Sequence, residues 1–269
     1  MKSVFLALQV LFVSFSVFVV GLTAQTDGVK TGERPFKIGE TLSYVGKVSK
    51  IIQGIEVADL TFTVGKDAQT DNYLITAKAT SKGTLIKLFR FSFLEDYQST
   101  IDAAPFRALK SVHHDVQKER VRDSQADFDY VNRRVTYVET DPKDPMRPPR
   151  KIASDIEDKT HDLISGLYSL RLLPLAVGKT FEMKVSDSGL VYDIPVKVTA
   201  RELQKTIFGR IWCFRLEPDV FGPGRLIEKE GKMVIWVADD ARRIPVRGMI
   251  DSFLKIDIKL KSAANLSHP

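Results

Sequence analysis

The stretch KMVIWVADDARRIPVRGMIDSFLKIDIKLK, residues 232–261, decides the fold class of this chain. Its first part, residues 233–238, is continuously apolar, which indicates a strand that is buried on both faces. Its last part, residues 255–261, alternates isoleucine and leucine with lysine and aspartate, the period of two that a half-buried strand shows. The charged run at residues 239–243 separates the two parts. We therefore expect two β-strands joined by a charged turn.

The same alternation recurs outward from this stretch, from residue 36 onwards. It predicts further strands at 42–48, 58–64, 73–80, 106–117, 125–138, 181–185, 192–198 and 211–217. Many short strands of this kind predict an all-β, mostly antiparallel protein. A closed barrel, a sandwich and a strongly curved open sheet all fit this count of strands.

One segment, residues 158–174, has the spacing of a helix instead. Its apolar stripe consists of Leu163, Ile164, Leu167 and Leu170. Asp158 or Thr160 can cap its start, and a proline follows its end. A single striped helix between two series of strands favours a strongly curved open sheet or half-barrel, with this main helix packed on the concave side.

The N-terminus has the layout of a secretory signal peptide over residues 1–24. Lys2 precedes an apolar run from Val4 to Leu22, and small residues follow. We expect cleavage after Ala24, with Thr23 as a rival position and an uncleaved membrane anchor as the alternative. The mature protein is then periplasmic or secreted, with no integral membrane segment.

The rest of the chain is expected to form a single β domain over residues 36–261. Residues 25–35 are polar and are predicted to be a flexible lead-in, and residues 262–269 are predicted to be a tail. Residues 140–150 contain four prolines, which remove backbone donors and favour extended conformations. We expect this Pro-rich loop to join two halves of the domain.

Charge and cysteine content exclude several classes of protein. The chain has 40 Lys and Arg against 34 Asp and Glu, a net charge of +6. Because the basic residues form no block of five or more, nucleic-acid binding is not predicted. The single cysteine, Cys213, permits no internal disulfide and is expected to be a buried small hydrophobe. Since the leader has no cysteine, the protein is not a lipoprotein.

Four segments together resemble the exported bacterial domain-of-unknown-function family 3108 (DUF3108). They are FKIGETLSYVGKVSKIIQGIEVADLTFTV (36–64), DLISGLYSLRLLPLAVGKTFEMKV (162–185), GLVYDIPVKVTARE (189–202) and VIWVADDARRIPVRGMID (234–251). The resemblance implies a β-rich periplasmic or envelope-associated protein with no agreed activity or catalytic residues. It also implies an architecture similar to the half-barrel lipoproteins of envelope assembly, and more loosely to curved-sheet carriers of lipid.

Several residues invite a chemical interpretation. His113 and Asp115 would lie on one face of a strand and His114 on the other, so a metal site would need a third ligand from elsewhere. His161-Asp162 imitates a phosphohydrolase pair, but a helix dipole explains Asp162 more simply. Glu40 is expected at a strand entry, where an arginine can pair with it. No metal, cofactor or catalytic residue is predicted, because the sequence has no phosphate loop, nucleophile elbow or zinc motif.

A ligand site is the remaining functional hypothesis. The aromatic residues Phe89, Phe91, Phe93, Tyr192 and Trp236 could line a concave surface, or pack in the core. Asp239, Asp240, Arg242 and Arg243 could contact a ligand or partner, or form only the ion pairs of a turn. We expect a non-catalytic envelope protein that binds a lipid or glycan or assists envelope assembly. The alternatives are a scaffold partner of an envelope complex and an envelope hydrolase or metal-dependent enzyme.

Overall fold

The computed structural model describes residues 34–48, 55–82, 93–252 and 255–267. The predicted leader, most of the lead-in, and the candidate residues Phe89 and Phe91 lie outside the described residues. Within them the strands are β1 (Thr41–Val48), β2 (Ile55–Lys66), β3 (Tyr73–Ser81), β4 (Phe93–Ile101), β5 (Ala108–Gln117), β6 (Arg120–Asp129), β7 (Arg134–Thr140), β8 (Arg150–Asp155), β9 (Thr160–His161), β10 (Thr180–Asp187), β11 (Leu190–Thr206), β12 (Gly209–Pro218), β13 (Lys232–Ala238), β14 (Pro245–Asp251) and β15 (Lys255–Ala264). One α-helix, α1 (Leu163–Ser169), continues into a 3-10 turn, Leu170–Leu172.

All of these strands belong to one sheet made of two antiparallel meanders. The first meander runs from β1 to β8 and the second from β10 to β15, each strand pairing with the next. The meanders join where β1 pairs with β15. The pairing of β9 with β10 is parallel. Each meander follows from chain reversals between consecutive strands, which place these strands side by side and antiparallel.

The sheet curves around α1, as the apolar stripe predicted. The helix contacts β3 and β4 in the first meander and β9 and β10 in the second. One short helix can touch both only if the sheet bends around it. The edge strand β8 comes close to β11, where the Ser154 hydroxyl donates to the Gly189 carbonyl at 2.7 Å. The predicted fold, a curved open sheet with the helix on its concave side, is confirmed.

The stretch 232–261 forms three strands rather than the two that were predicted. The missed strand is β14, which pairs with β13 on one side and β15 on the other. Its alternation is hard to see because a bulge shifts the β13–β14 register between Trp236 and Val237. The prediction that β13 is buried on both faces is confirmed, since Trp236 and Val237 belong to different apolar clusters.

The Pro-rich segment connects β7 to β8, which are adjacent and paired strands. It therefore lies in a hairpin loop of the first meander. The chain passes to the second meander after β8, over residues 156–159. The prolines fit this loop, because proline lacks the backbone N–H that a paired strand would donate.

The helix begins later than expected because Thr160 and His161 pair with β10. Asp162, rather than Asp158 or Thr160, is the N-cap residue. Its carboxylate accepts a hydrogen bond from the Ser165 backbone N–H at 2.7 Å, and the Ser165 hydroxyl accepts one from the Asp162 N–H at 2.9 Å. No helix among the described residues is long and apolar enough to cross a lipid bilayer.

Apolar side chains fill the concave side around α1. Ile164 and Tyr168 pack among residues of β2, β3 and β4 and two phenylalanines, namely Val64, Ile75, Ala77, Ile101, Phe36 and Phe106. Leu170 packs with residues of the second meander. A cavity beside Tyr168 and Arg171 measures about 10 Å³, which is room for about one water molecule. At this place the described residues leave no room for a large ligand.

Candidate functional site

Three of the four segments that carry the sequence resemblance meet at one buried ion pair. Arg171, at the end of the helix, donates to the two carboxylate oxygens of Glu40 at 2.5 and 3.0 Å. The side chains are 1% and 0% exposed. The Arg171 guanidinium also donates to the carbonyls of Pro35 at 2.6 Å and Arg242 at 2.8 Å. The predicted arginine partner of Glu40 is thus Arg171, and the pair ties three distant segments together.

The charged turn at residues 239–243 is occupied by its own ion pairs. Asp239 accepts from Arg201 at 2.7 Å and from Arg243 at 3.2 Å. Asp240 accepts from the backbone N–H and the guanidinium of Arg242, at 2.9 and 2.6 Å. The turn therefore has a structural role: it holds its own shape and presents the Arg242 carbonyl to Arg171.

The described aromatic candidates lie in separate places. Trp236 is 6% exposed, and its indole N–H donates to Glu202. Tyr192 packs against a different apolar cluster, that of β10 and β11. Phe93 begins β4, where its backbone N–H donates to the Ser81 hydroxyl at 3.0 Å. Cys213 is a buried free thiol, as predicted.

The concave face becomes polar along β4 and β5. In their register Ser99 is opposite Ser111, Tyr97 opposite His113, and Glu95 opposite Asp115. The Ser99 hydroxyl donates to the helix cap Asp162 at 2.5 Å, so this row of side chains lies on the side that α1 occupies. Because side chains alternate along a strand, His113 and Asp115 share the concave face.

His114 lies on the convex face, as the alternation predicted. Its Nδ1 is 2.5 Å from the Asp123 carboxylate, and the two side chains are 44% and 50% exposed. His113 and His114 are therefore adjacent in sequence but face different environments.

The polar surface continues across β6 and β7. Arg122 is opposite Asp115, and Ser124 is opposite His113 and Glu139. Arg122 contacts Asp141 at 2.5 Å and Glu139 at 3.8 Å. We call this set the charged layer; its members are Glu95, His113, Asp115, Arg120, Arg122, Glu139 and Asp141.

Two carboxyl groups in the charged layer have opposite electrostatic surroundings. Burial and then the charge of Glu95 raise the pKa of Asp115, against the effect of Arg120. Burial also acts to raise the pKa of Glu95, but the hydrogen bond and charge of His113 lower it below its ordinary value. His113 Nε2 lies 2.5 Å from Glu95 Oε2, while Arg120 donates to one oxygen of Asp115. Glu95 is therefore the group that stays ionised, and Asp115 the one that tends to keep a proton.

The turn between β10 and β11 closes over the other side of the charged layer. Gly189 in this turn has φ +81°, and a Cβ there would lie 2.7 Å from that of Tyr137 and 2.9 Å from that of Ile152. Only glycine permits this approach. Burial raises the pKa of Asp187, at the end of β10, while the Ser188 hydroxyl and a charge on His113 act against that rise. The second meander thus brings an acidic group close to His113.

Within the described ranges, no group of three or more His, Cys, Asp or Glu side chains is placed to hold a metal ion. His161 is buried near Phe106, and its ring contacts that phenylalanine at 6.5 Å between centroids. Burial and then the charge of Lys159 lower the pKa of His161 to about 4, so it is neutral at neutral pH.

Sequence reasoning identified His113 and Asp115 but missed Glu95, Arg122 and Glu139. These three become neighbours of His113 and Asp115 only through strand register, which requires the pairing to be known. One signal was present: the inward positions of β4 change from apolar Ile101 to charged Glu95 within a single strand.

Among solved structures, one match supports the fold. A solved structure from Brucella abortus, a beta-barrel-like protein of the domain of unknown function DUF1849, has a TM-score of 0.52 and 10% sequence identity. The aligned region covers 86% of this chain and 98% of the Brucella abortus protein. A candidate exported protein with a YmcC-like fold from Bacteroides fragilis has a TM-score of 0.33 and 9% identity, with coverages of 86% and 98%. Among curated proteins, none is significantly similar in sequence.

The family comparison agrees with the residues from which the resemblance was inferred. The model of DUF3108, described as a protein of unknown function, matches residues 41–259. The matched residues include His113 and Asp115, which the sequence analysis singled out, and Arg171 of the buried ion pair. Because it spans most of the chain, this protein belongs to the DUF3108 family.

Proposed function

We propose that this protein is a non-catalytic, exported envelope protein that binds a glycan at the charged layer. The observation that carries the proposal is the change along the concave face from a filled apolar region to a polar region with partly exposed side chains. The leader pattern of residues 1–24 supports export, since a basic start, an apolar core and small residues direct a chain to secretion.

The concave surface favours a glycan over an acyl chain. An acyl chain needs an apolar groove, whereas α1 and its aromatic neighbours occupy the apolar part and leave a cavity of about 10 Å³. At the charged layer, the side chains of Glu95 and His113 are 27% and 31% exposed. These groups can exchange hydrogen bonds with a hydroxyl-rich ligand. The ring of Tyr97, 5.2 Å from that of His113, adds an aromatic surface beside them.

The contacts of the carboxyl groups support binding rather than catalysis. Glu95 is held by His113, and Asp115 by Arg120. A general acid and base need to reach a bound substrate, and in this structure His113 and Arg120 occupy these carboxyl groups. The pKa values of Asp115 and Glu95 are shifted in opposite directions, as in an acid and base pair. Hydrolysis of a bound glycan would therefore overturn the non-catalytic assignment.

The binding test uses the two adjacent histidines as a matched pair. Purified mature protein would be screened against envelope oligosaccharides, and each hit measured by isothermal titration calorimetry. We expect His113→Ala to weaken binding at least tenfold and His114→Ala, on the convex face, to leave it unchanged. Equal effects of the two variants, or no binding to any oligosaccharide in the screen, would refute the proposal.

A second candidate function, a scaffold partner in an envelope complex, is favoured by one exposed apolar surface. Leu203 and Trp212 face each other near the end of the β11–β12 hairpin and are 47% and 45% exposed. Ile207, in the connecting turn, is 45% exposed. Exposed apolar groups that lie together mark protein contacts. Cross-linking from position 212 in cells should capture a defined envelope protein if this second function holds.

A further inference from the structure

We propose that the charged layer holds its ligand through a protonated amine placed against Asp115, so that the bound glycan is an amino sugar with a free amine. This inference rests on the proposed function and names the ligand class of the same site. It follows from one buried acceptor, the charges around it, and the side chain that covers it.

The buried acceptor is the second oxygen of Asp115. The residue is 7% exposed, and Arg120 donates to its Oδ2. Its Oδ1 is buried and accepts no hydrogen bond from a nitrogen or hydroxyl donor among the described residues. The remaining hydrogen bond of Asp115 is with Glu95, and it needs a proton on one of the two carboxyl groups. When both carboxyl groups are ionised the buried oxygen has no donor, which is costly, so a donor on the ligand can take the place of that proton.

The surrounding charges favour a cationic donor. Glu95 lies directly across the strand pair from Asp115, and Asp187 of the second meander lies close enough to His113 for their charges to interact. Arg122 faces Asp115 as well, but its guanidinium is engaged by Asp141 and Glu139. An anionic group would therefore meet carboxylates at this position, whereas an ammonium group would be attracted to them.

Access to Asp115 depends on a side chain that can move. Arg120, which covers the carboxylate, is 44% exposed, while Asp115 itself is 10% exposed as a side chain. An arginine with this exposure can turn toward solvent when the ligand's ammonium group replaces its charge, because the carboxylate of Asp115 is then not left unpaired. The ammonium group takes the place of the proton that Asp115 and Glu95 share.

Binding of an ammonium group should compete with a proton. The groups that face Asp115 are Glu95 from β4, His113 from its own strand, and Arg120 and Arg122 from β6; Asp187 from β10 faces His113. Burial and the charge of Glu95 favour the protonated form of Asp115 in the unoccupied site. The amine displaces that proton to solvent, so affinity rises with pH until the ligand amine itself loses its charge.

The test compares two oligosaccharides of equal length with the mature protein, by isothermal titration calorimetry at two pH values. One is a tetramer of glucosamine with free amines, and the other is the N-acetylated tetramer. We expect the free-amine tetramer to bind at least tenfold more tightly, with higher affinity at pH 6 than at pH 4.5, a range in which the glucosamine amine stays charged. Asp115→Asn should abolish this preference, and Asp123→Asn, on the convex face of the neighbouring strand, should preserve it.

The outcomes separate this inference from the proposed function. Equal affinity for the two tetramers, or tight binding of neutral glycans alone, would overturn the amine assignment while glycan binding stands. Tighter binding of a lysine tripeptide than of the amino sugar would place the amine on a peptide and overturn the assignment to a sugar. If no glycan of any kind binds, the proposed function itself fails. A preference that survives in a correctly folded Asp115→Asn variant would show that the amine lies elsewhere.

Discussion

The buried ion pair between Arg171 and Glu40 gives the sharpest prediction about stability. Arg171→Met keeps much of the side-chain length but removes the guanidinium. Glu40, which is 0% exposed, would then be a buried carboxylate without its partner. The carbonyls of Pro35 and Arg242 would lose donors at 2.6 and 2.8 Å. The rings of Phe36 and Tyr168 would lose a guanidinium at 5.1 and 5.3 Å from their centroids.

The expected loss of stability is large. Removing one partner of a buried pair costs about 3–5 kcal/mol, because the remaining charge stays buried. We expect the free energy of unfolding to fall by about 4 kcal/mol, which is a large share of the roughly 5–15 kcal/mol of a typical domain. For a chain of this size, about 2–4 °C per kcal/mol predicts a decrease in Tm of about 8–16 °C.

The assay is urea unfolding at pH 7, followed by tryptophan fluorescence. The control is Lys66→Met, which breaks an ion pair with Asp71 whose side chains are 53% and 92% exposed. That surface pair should contribute about 1 kcal/mol or less. The double variant Glu40→Gln with Arg171→Met should recover part of the loss, since it leaves no buried charge. If Arg171→Met costs no more than the control, the argument that this pair holds three segments together is wrong.

Three further predictions follow from single residues. Burial lowers the pKa of His161 to about 4 from 6.5. The neutral ring therefore contributes about 3 kcal/mol of stability that is complete above about pH 6.5 and is lost as the pH falls toward 4. Urea titrations of the wild type and His161→Leu at pH 7 and 4.5 should show a smaller pH dependence in the variant, and an equal pH dependence would contradict the assignment. Gly189→Ala should destabilise the protein by about 2–4 kcal/mol through positive φ and the close approach to Tyr137, whereas Gly209→Ala, with φ +89° and nothing within 4 Å of the new Cβ, should cost about 1–2 kcal/mol; equal losses would show that the β10–β11 turn does not press on β7. Burial raises the pKa of Cys213 to about 12, so a thiol reagent should react with the unfolded protein and not with the native one, and rapid native labelling would contradict its burial.

The overall fold could be read from the sequence because its signals are local. Period-two alternation marked most strands, and the stripe of Leu163, Ile164, Leu167 and Leu170 marked the helix that the sheet surrounds. The start of the helix was misjudged, since the pairing of Thr160 and His161 with β10 is a tertiary contact that no local pattern shows. The strand β14 was missed for a related reason, because a bulge near its own start, between Pro245 and Arg247, interrupts the alternation.

The candidate site was harder to predict because register creates it. His113 and Asp115 were recognisable as a pair on one strand face, but their partners come from three other strands. Glu95 lies on β4, which pairs with their strand, and Glu139 lies on β7, which pairs with β6 on the other side. A one-residue slip in either pairing would place these groups on the convex side. The sequence therefore contains the residues of the site without showing that they meet.

Ser99 connects the apolar core around α1 to the charged layer, which is the candidate ligand site. Along β4 the inward positions run from Ile101, which is 0% exposed in the core, through Ser99 and Tyr97 to Glu95. Ser99 bonds to Asp162, and that residue caps the helix whose end carries Arg171. The same short helix thus fixes the apolar filling and, through its cap, the strand that carries Glu95. A ligand site at the charged layer would then depend on α1 without touching it. Ser99→Ala should therefore weaken glycan binding even under conditions in which the variant is fully folded. Binding that is unchanged in Ser99→Ala would show that the charged layer is positioned by the sheet alone.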